Sequence, residues 1–136
     1  MIQSYKTRRT EQKAQAIVEL ALVLPILLLM LMGIVEASRI FMAQHAITNA
    51  AREGARVGVL PTSTTNDVES AISGYMSAAG LTGATTVSMS NVGPTVDPGA
   101  TTSVSVQHEL PILIGELIPG LGDSVSLSNV TVMRHE

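Results

Sequence analysis

The chain has 136 residues, of which 46% are hydrophobic, 14% charged and 2% aromatic, against the roughly 25% charge of an average soluble domain. Residues 1–14 carry a balance of +3, with Lys6, Arg8, Arg9 and Lys13 against Glu11, and the remainder carries −6, with four Arg against ten acids. That distribution excludes a basic nucleic-acid footprint on the body of the protein. With no Cys, no Trp and one Phe, disulfide scaffolds, thiolate nucleophiles, zinc ribbons and aromatic stacking platforms are also excluded.

The apolar excess is concentrated near the N-terminus. From Leu20 to Val35 sixteen residues run without a charge, and extension back to Ala14 gives 22 residues interrupted only by Glu19. At 1.5 Å per residue this is about 33 Å of helix, matching a hydrocarbon core of about 30 Å. No polar face is present, and Pro25 inside the run is tolerated better in lipid than in water. Basic residues precede the segment, so the positive-inside rule places residues 1–14 in the cytoplasm and residues 36–136 across the membrane.

A cleaved secretory signal is the competing reading, with Val35-Glu36-Ala37 as a small-residue cleavage site and Arg8-Arg9 as a weak twin-arginine feature. Against it, helical periodicity continues past Ala37. Ile40, Ala43, Ile47, Ala50 or Ala51 and Gly54 recur at intervals of three and four, and Glu36 with Arg39 and Glu53 with Arg56 form i,i+3 pairs expected on the exposed side. One helix is therefore expected from about residue 15 to about residue 59, roughly 65–70 Å long. Residues 15–36 form its membrane part and residues 37–60 its continuation outside.

Small residues mark this helix. Gly33 with Ala37, and Ala50 with Gly54 and Gly58, are spaced to let another backbone approach closely. They serve either neighbouring helices or the helix's own folded domain. Glu19 is the ionisable exception, since a carboxylate at the centre of a membrane helix costs about 2.5–3.5 kcal/mol and calls for a partner or an interfacial position.

Beyond Pro61 the sequence is rich in Thr, Ser and Gly and reads as a small head over residues 61–136. A helix is expected from an Asn66 cap, with Glu69 three residues on. It would bury Val68, Ile72, Met76 and Ala79 and end at Gly80. Val87 with Met89, and Val104 with Val106, alternate with polar residues as half-buried strands, separated by a turn over residues 91–99. Val125 and Leu127 differ in parity from Val130 and Val132, so a bulge near Ser128-Asn129 is expected to keep one face inward. Residues 110–121 read as an apolar loop or short helix. The fold class is thus α+β, a long N-terminal membrane-spanning helix continuing into a small extracytoplasmic head of one helix and a three-stranded antiparallel sheet. Some 75 residues are few for an independent core, so burial against the long helix is expected to supply much of it.

No arrangement in the sequence supports catalysis, a resident cofactor or a metal site. His108-Glu109 is followed by Leu, Pro and Ile, unlike a metalloprotease helix. The Gly115–Gly122 spacing lacks the Lys and Ser or Thr of a phosphate loop. His45, His108 and His135 lack ligand spacing and read as surface or helix residues. Asp67, Glu69, Asp97 and Asp123 are isolated in turn-like contexts and are only weak candidates for calcium.

Two motifs, Ala14-Gln15-Ala16-Ile17-Val18-Glu19-Leu20-Ala21-Leu22-Val23-Leu24-Pro25 with Gly33-Ile34-Val35-Glu36, and Thr48-Asn49-Ala50-Ala51-Arg52-Glu53-Gly54-Ala55-Arg56, resemble the TadE-like family. These are pseudopilins, or minor pilins, of the tight-adherence (Flp) branch of the type IV pilus superfamily. The ending from Val130 to Glu136 is similar to the family's usual C-terminus. The resemblance implies removal of the basic leader by a prepilin peptidase, between Ala14 and Gln15, which places Glu19 at the fifth mature position. The family usually carries Gly before the cut and an aromatic after the glutamate, where this chain has Ala14 and Leu20. In related pilins that carboxylate meets the N-terminal amine of a neighbouring subunit. The implied partners are the membrane, other pilins through the N-terminal helix, the peptidase and a pilus assembly platform. The implied location is the bacterial inner membrane, single pass with the N-terminus inside, or an extracellular pilus. A membrane-anchored binding module not built into a filament is the alternative, which exposure of Leu113, Leu117 and Ile118 would favour.

Overall fold

The computed structural model describes residues 3–94, 96–113, 115 and 122–135, with side chains described from residue 13 onward. The chain divides into two compact units, Met1–Glu36 and Ala37–Glu136.

The first unit is helical throughout its described length and belongs to α1, which spans Gln3–Gly58 and runs through Pro25. The expected helix is present and begins earlier than residue 15. Fifteen large apolar side chains between Ile17 and Val35 are exposed. Glu36, expected on the exposed side, is instead buried at 6%.

In the second unit the remaining turns of α1 are joined by α2 (Thr65–Ala78) and three strands, β1 (Thr85–Ser90), β2 (Thr101–Pro111) and β3 (Ser124–Arg134). The strands form an antiparallel sheet in the order β1-β2-β3. This is the α+β arrangement expected from the sequence. The core draws on every layer, with Ala43, Ile47, Ala50, Ala51 and Ala55 of α1, Val68, Ile72 and Met76 of α2, Val104, Val106 and Leu110 of β2, and Leu127 of β3. The α1 positions follow a 3.6-residue period, and the β2 positions follow a period of two.

Helix α2 starts two residues earlier than expected. Thr64, not Asn66, is the N-cap, and it forms a reciprocal capping box with Asp67. The Asp67 carboxylate accepts from the Thr64 hydroxyl at 2.7 Å and the Thr64 backbone N–H at 2.8 Å, while Asp67 N–H donates back to Thr64 Oγ1 at 3.3 Å. Both ends of the box satisfy donors that a bare helix terminus leaves unpaired. At the other end Gly80 takes φ +73, with Gly80 N–H donating to Ser77 and Leu81 N–H to Met76. This closes the helix as a Schellman turn. Ala79 is the exposed C-cap and not part of the buried face.

The expected bulge in β3 is absent. The pairing with β2 keeps one register from Thr101↔Arg134 to Pro111↔Ser124. Val125, Leu127 and Met133 therefore face inward, while Val130 and Val132 face outward at 60% and 58% exposure. Two valines on a solvent face cost less than breaking a ladder anchored inside by Leu127 and His108.

The Asp67 carboxyl is held below the ordinary carboxylate range, first by the Thr64 hydroxyl and then by the Thr64 backbone N–H. A lowered pKa in the folded state means the box contributes its full stability above the ordinary Asp pKa and loses it as pH falls through the lowered value. Melting of the full-length chain in detergent, followed between pH 6 and pH 2, should show this acid-side loss. Asp67→Asn should melt lower at neutral pH and show a smaller decline, because the titrating group is gone.

Candidate functional site

Polar contacts in the second unit serve its fold. Thr102, fully buried, donates its hydroxyl to the Asn91 carbonyl at 2.7 Å. Its hydrogen is thereby used, so at the 2.6 Å contact with His135 it accepts from Nε2–H. The backbone of His135 pairs with Ala100 and Gly99, which ties the segment after β3 to the residues before β2. His108 is 1% exposed and its Nδ1 lies 2.9 Å from Thr85 Oγ1, bridging β2 to β1. His108 is thus a buried sheet residue and His135 is buried just beyond β3, contrary to the surface reading, while His45 is exposed on α1. The sequence carried a usable signal, because Thr102, His108 and Leu110 share the parity of Val104 and Val106.

Asp67 is engaged by Thr64, and among the described residues no three His, Cys, Asp or Glu side chains gather closely enough to hold an ion. Glu53 and Arg56 form the expected ion pair on the outside of α1. Hydrogen bonding from Arg56 lowers the Glu53 pKa. At such exposure a pair of this kind adds little to stability.

The small residues of α1 divide by environment. Ala50, Gly54 and Gly58 are all buried inside the second unit. A Cβ on Gly54 would lie 2.7 Å from two carbons of Ile72, and one on Gly58 would lie 3.0 Å from Thr102 Cγ2. These three positions seat α2 and the sheet on α1 and are used up by the chain's own packing. Beyond its own turn of helix, Gly33 has no atom within 4 Å of a would-be Cβ, and Ala37 is exposed. Of the residues singled out for assembly, Glu19, Gly33 and Ala37 keep open surroundings or accessible surface, Gly33 being half-buried by its own helix.

The first unit offers no chemistry beyond its surface. Ala14, Gln15 and Glu19 are exposed along α1, and the bond between Ala14 and Gln15 lies within helix. Fully burying one large apolar side chain is worth about 1.5–3 kcal/mol. Fifteen such side chains between Ile17 and Val35, each at least 40% exposed, amount to order 10–20 kcal/mol in water even after halving, as much as the whole stability of a domain. An apolar surround removes that cost, and the helix is long and apolar enough to cross a bilayer. One N-terminal helix of this kind suggests a single-pass membrane anchor. Leu113 is exposed at 56%; Leu117 and Ile118 lie outside the described residues.

Substitutions at the two kinds of glycine should separate. Gly54→Leu overfills the seam against Ile72 and should lower domain stability by about 1–3 kcal/mol, read as a lower melting temperature of the full chain in detergent. Gly33→Leu meets open space and should leave that melting temperature unchanged.

The model of the TadE-like protein family matches residues 14–56. The match covers both N-terminal motifs and supports the resemblance they carry; α2 and the sheet lie beyond it. No curated protein and no solved structure matches the chain.

Proposed function

We propose, from the TadE-like character of residues 14–56, that this chain is a minor pilin or pseudopilin of a tight-adherence type IV pilus system and acts as a structural subunit, not an enzyme. The observation that carries the proposal is that the family match falls on a helix whose apolar surface is left uncovered by its own chain and bears one carboxylate, Glu19. The role of the pilus in cell adhesion comes with that family reading.

In this reading the head faces outward, since the basic leader favours the cytoplasm. A prepilin peptidase removes residues 1–14. Cleavage removes four cationic side chains and creates a new amine on Gln15. A desolvated carboxylate gains from a desolvated amine, because pairing spares both charges from being stranded. Glu19 of one subunit then meets Gln15 of a neighbour, and Gly33 and Ala37 let helices approach. Because Ala14–Gln15 lies within α1, the peptidase unwinds the helix locally to reach the bond. Its tolerance at Ala14 rests on a small side chain.

Ala14→Arg should leave a precursor heavier by the leader, measured by mass spectrometry of the membrane fraction; an unchanged mature mass places the cut elsewhere. Glu19→Gln tests assembly. The variant should insert and keep its head folded, because loss of a charge eases membrane burial, and co-purification with sister subunits should fall at least tenfold. Undiminished co-purification would reduce Glu19 to an interfacial carboxylate.

A further inference from the structure

Both edges of the sheet are open among the described residues, and their hydrogen-bonding groups can be assigned. Ile112 N–H donates to Asp123 and His135 N–H to Ala100, at either end of the β2–β3 ladder. With the register constant between them, the bonded pairs are the alternate ones, including Leu110↔Val125 and Thr102↔Met133. The even-numbered residues of β3 therefore direct N–H and C=O away from β2. Gln44 Nε2 donates to Ser128 O at 3.3 Å, as that assignment requires, and it occupies one edge carbonyl. Toward the C-terminus the groups of Val130, Val132 and Arg134 follow. On the other edge, Glu109 N–H donates to Ala84, so Thr86, Ser88 and Ser90 bond to β2 while Thr85, Val87 and Met89 direct their groups outward.

Apart from Gln44 at Ser128, neither edge carries the usual protection. β1 has no charge, Pro or Gly, and β3 has none before Arg134. Such edges are templates for pairing. Beside β1 a cleft of about 500 Å³, lined by Ile72, Met76, Leu81 and Val87, opens between the sheet and α2. It provides room for the inward side chains of an added strand.

We propose that β3 of one copy adds in parallel to the open edge of β1 in the next, joining the sheets of neighbouring copies. This rests on the reading of the chain as an assembling subunit and adds a contact outside the TadE-like segment. The parity of the two edges selects the direction. The outward-directed groups of β1 belong to residues with inward side chains, whereas those of β3 belong to residues with outward side chains. Antiparallel pairing sets such residues directly opposite, and would require one copy to be turned over. Parallel pairing bonds each residue to the two that flank its neighbour, so both sheets stay the same way up. Copies related in this way all point in one direction, as copies sharing one membrane topology must. The contact is head-to-tail and propagates.

Setting Thr131 beside Val87 uses the free groups of Val130, Val132 and Arg134 and leaves Ser128 to Gln44. Thr131 then faces the cleft beside Val87, and the exposed Val130 and Val132 lie beside Thr86 and Ser88.

The chain lacks Cys, so introduced cysteines report without background. Neighbouring strands lie about 4.8 Å apart, within disulfide range. The full-length chain carrying Ser88→Cys and Val132→Cys, oxidised in its native membranes, should give a ladder of dimers, trimers and higher species on a non-reducing gel. Ser88→Cys with Thr131→Cys, on opposite faces, should give none. Adding Val130→Pro to the first pair removes an N–H directed away from β2, and should abolish the ladder while the melting temperature holds. Dimers from Val132→Cys alone or Ser88→Cys alone would overturn the proposal in favour of symmetric edge pairing. Co-purification of sister copies without a ladder would overturn the strand contact and leave helix assembly standing.

Discussion

The folded domain depends on how closely other elements can approach α1. Ala43, Ala50, Ala51 and Ala55 are at most 2% exposed, and Gly54 has no room for even a Cβ beside Ile72. A helix faced with Ala and Gly brings its backbone near the layer it supports, so Ile72 of α2 and Val104 of β2 both reach that position. Dispersion contacts are individually small and fall off steeply with separation. The seam therefore tolerates deletion of bulk poorly and addition of bulk worse. For a head of this size, this explains how few large residues suffice: the helix supplies nearly half of the core positions.

The earlier part of α1 obeys the opposite rule. Large Leu, Ile, Met and Val side chains from Ile17 to Val35 are exposed, and no charge separates them after Glu19. One helix thus carries two surfaces with different solvents in view, an apolar stretch for lipid or neighbouring helices and a small-residue stretch for its own domain. In the proposed function, Glu19 near the start of the apolar stretch becomes the polar contact between copies; the proposed β3–β1 pairing would extend that contact outside the membrane.

Much of this was legible in the sequence because periodicity is a direct consequence of burial. The uncharged run fixed the first part of α1, and the spacing of Val68, Ile72 and Met76 fixed the face of α2. Parity located the strands. What was missed has physical reasons. Thr64 and Asn66 both cap well, and only the reciprocal bond from Asp67 decides between them. Val130 and Val132 suggested inward positions because valine favours strands whether or not it is buried, and the register is set by the opposite face. Glu36 gave no sign of burial, since a carboxylate three residues before an Arg ordinarily marks a wet face. Gln44 could not be matched to the Ser128 carbonyl from spacing, because 84 residues separate them. Of the residues singled out for assembly, the structure separates Ala50, Gly54 and Gly58, which its own core consumes, from Glu19, Gly33 and Ala37.

In the proposed function α1 anchors the chain in one pass and the α2–sheet domain lies outside the cytoplasm. Ser70 lies exposed on α2, and Ser70→Cys would be the sole thiol in the chain. Intact cells should be treated with a membrane-impermeant maleimide before and after lysis. The account predicts full labelling before lysis. Labelling that appears only after lysis would place the domain in the cytoplasm and contradict it.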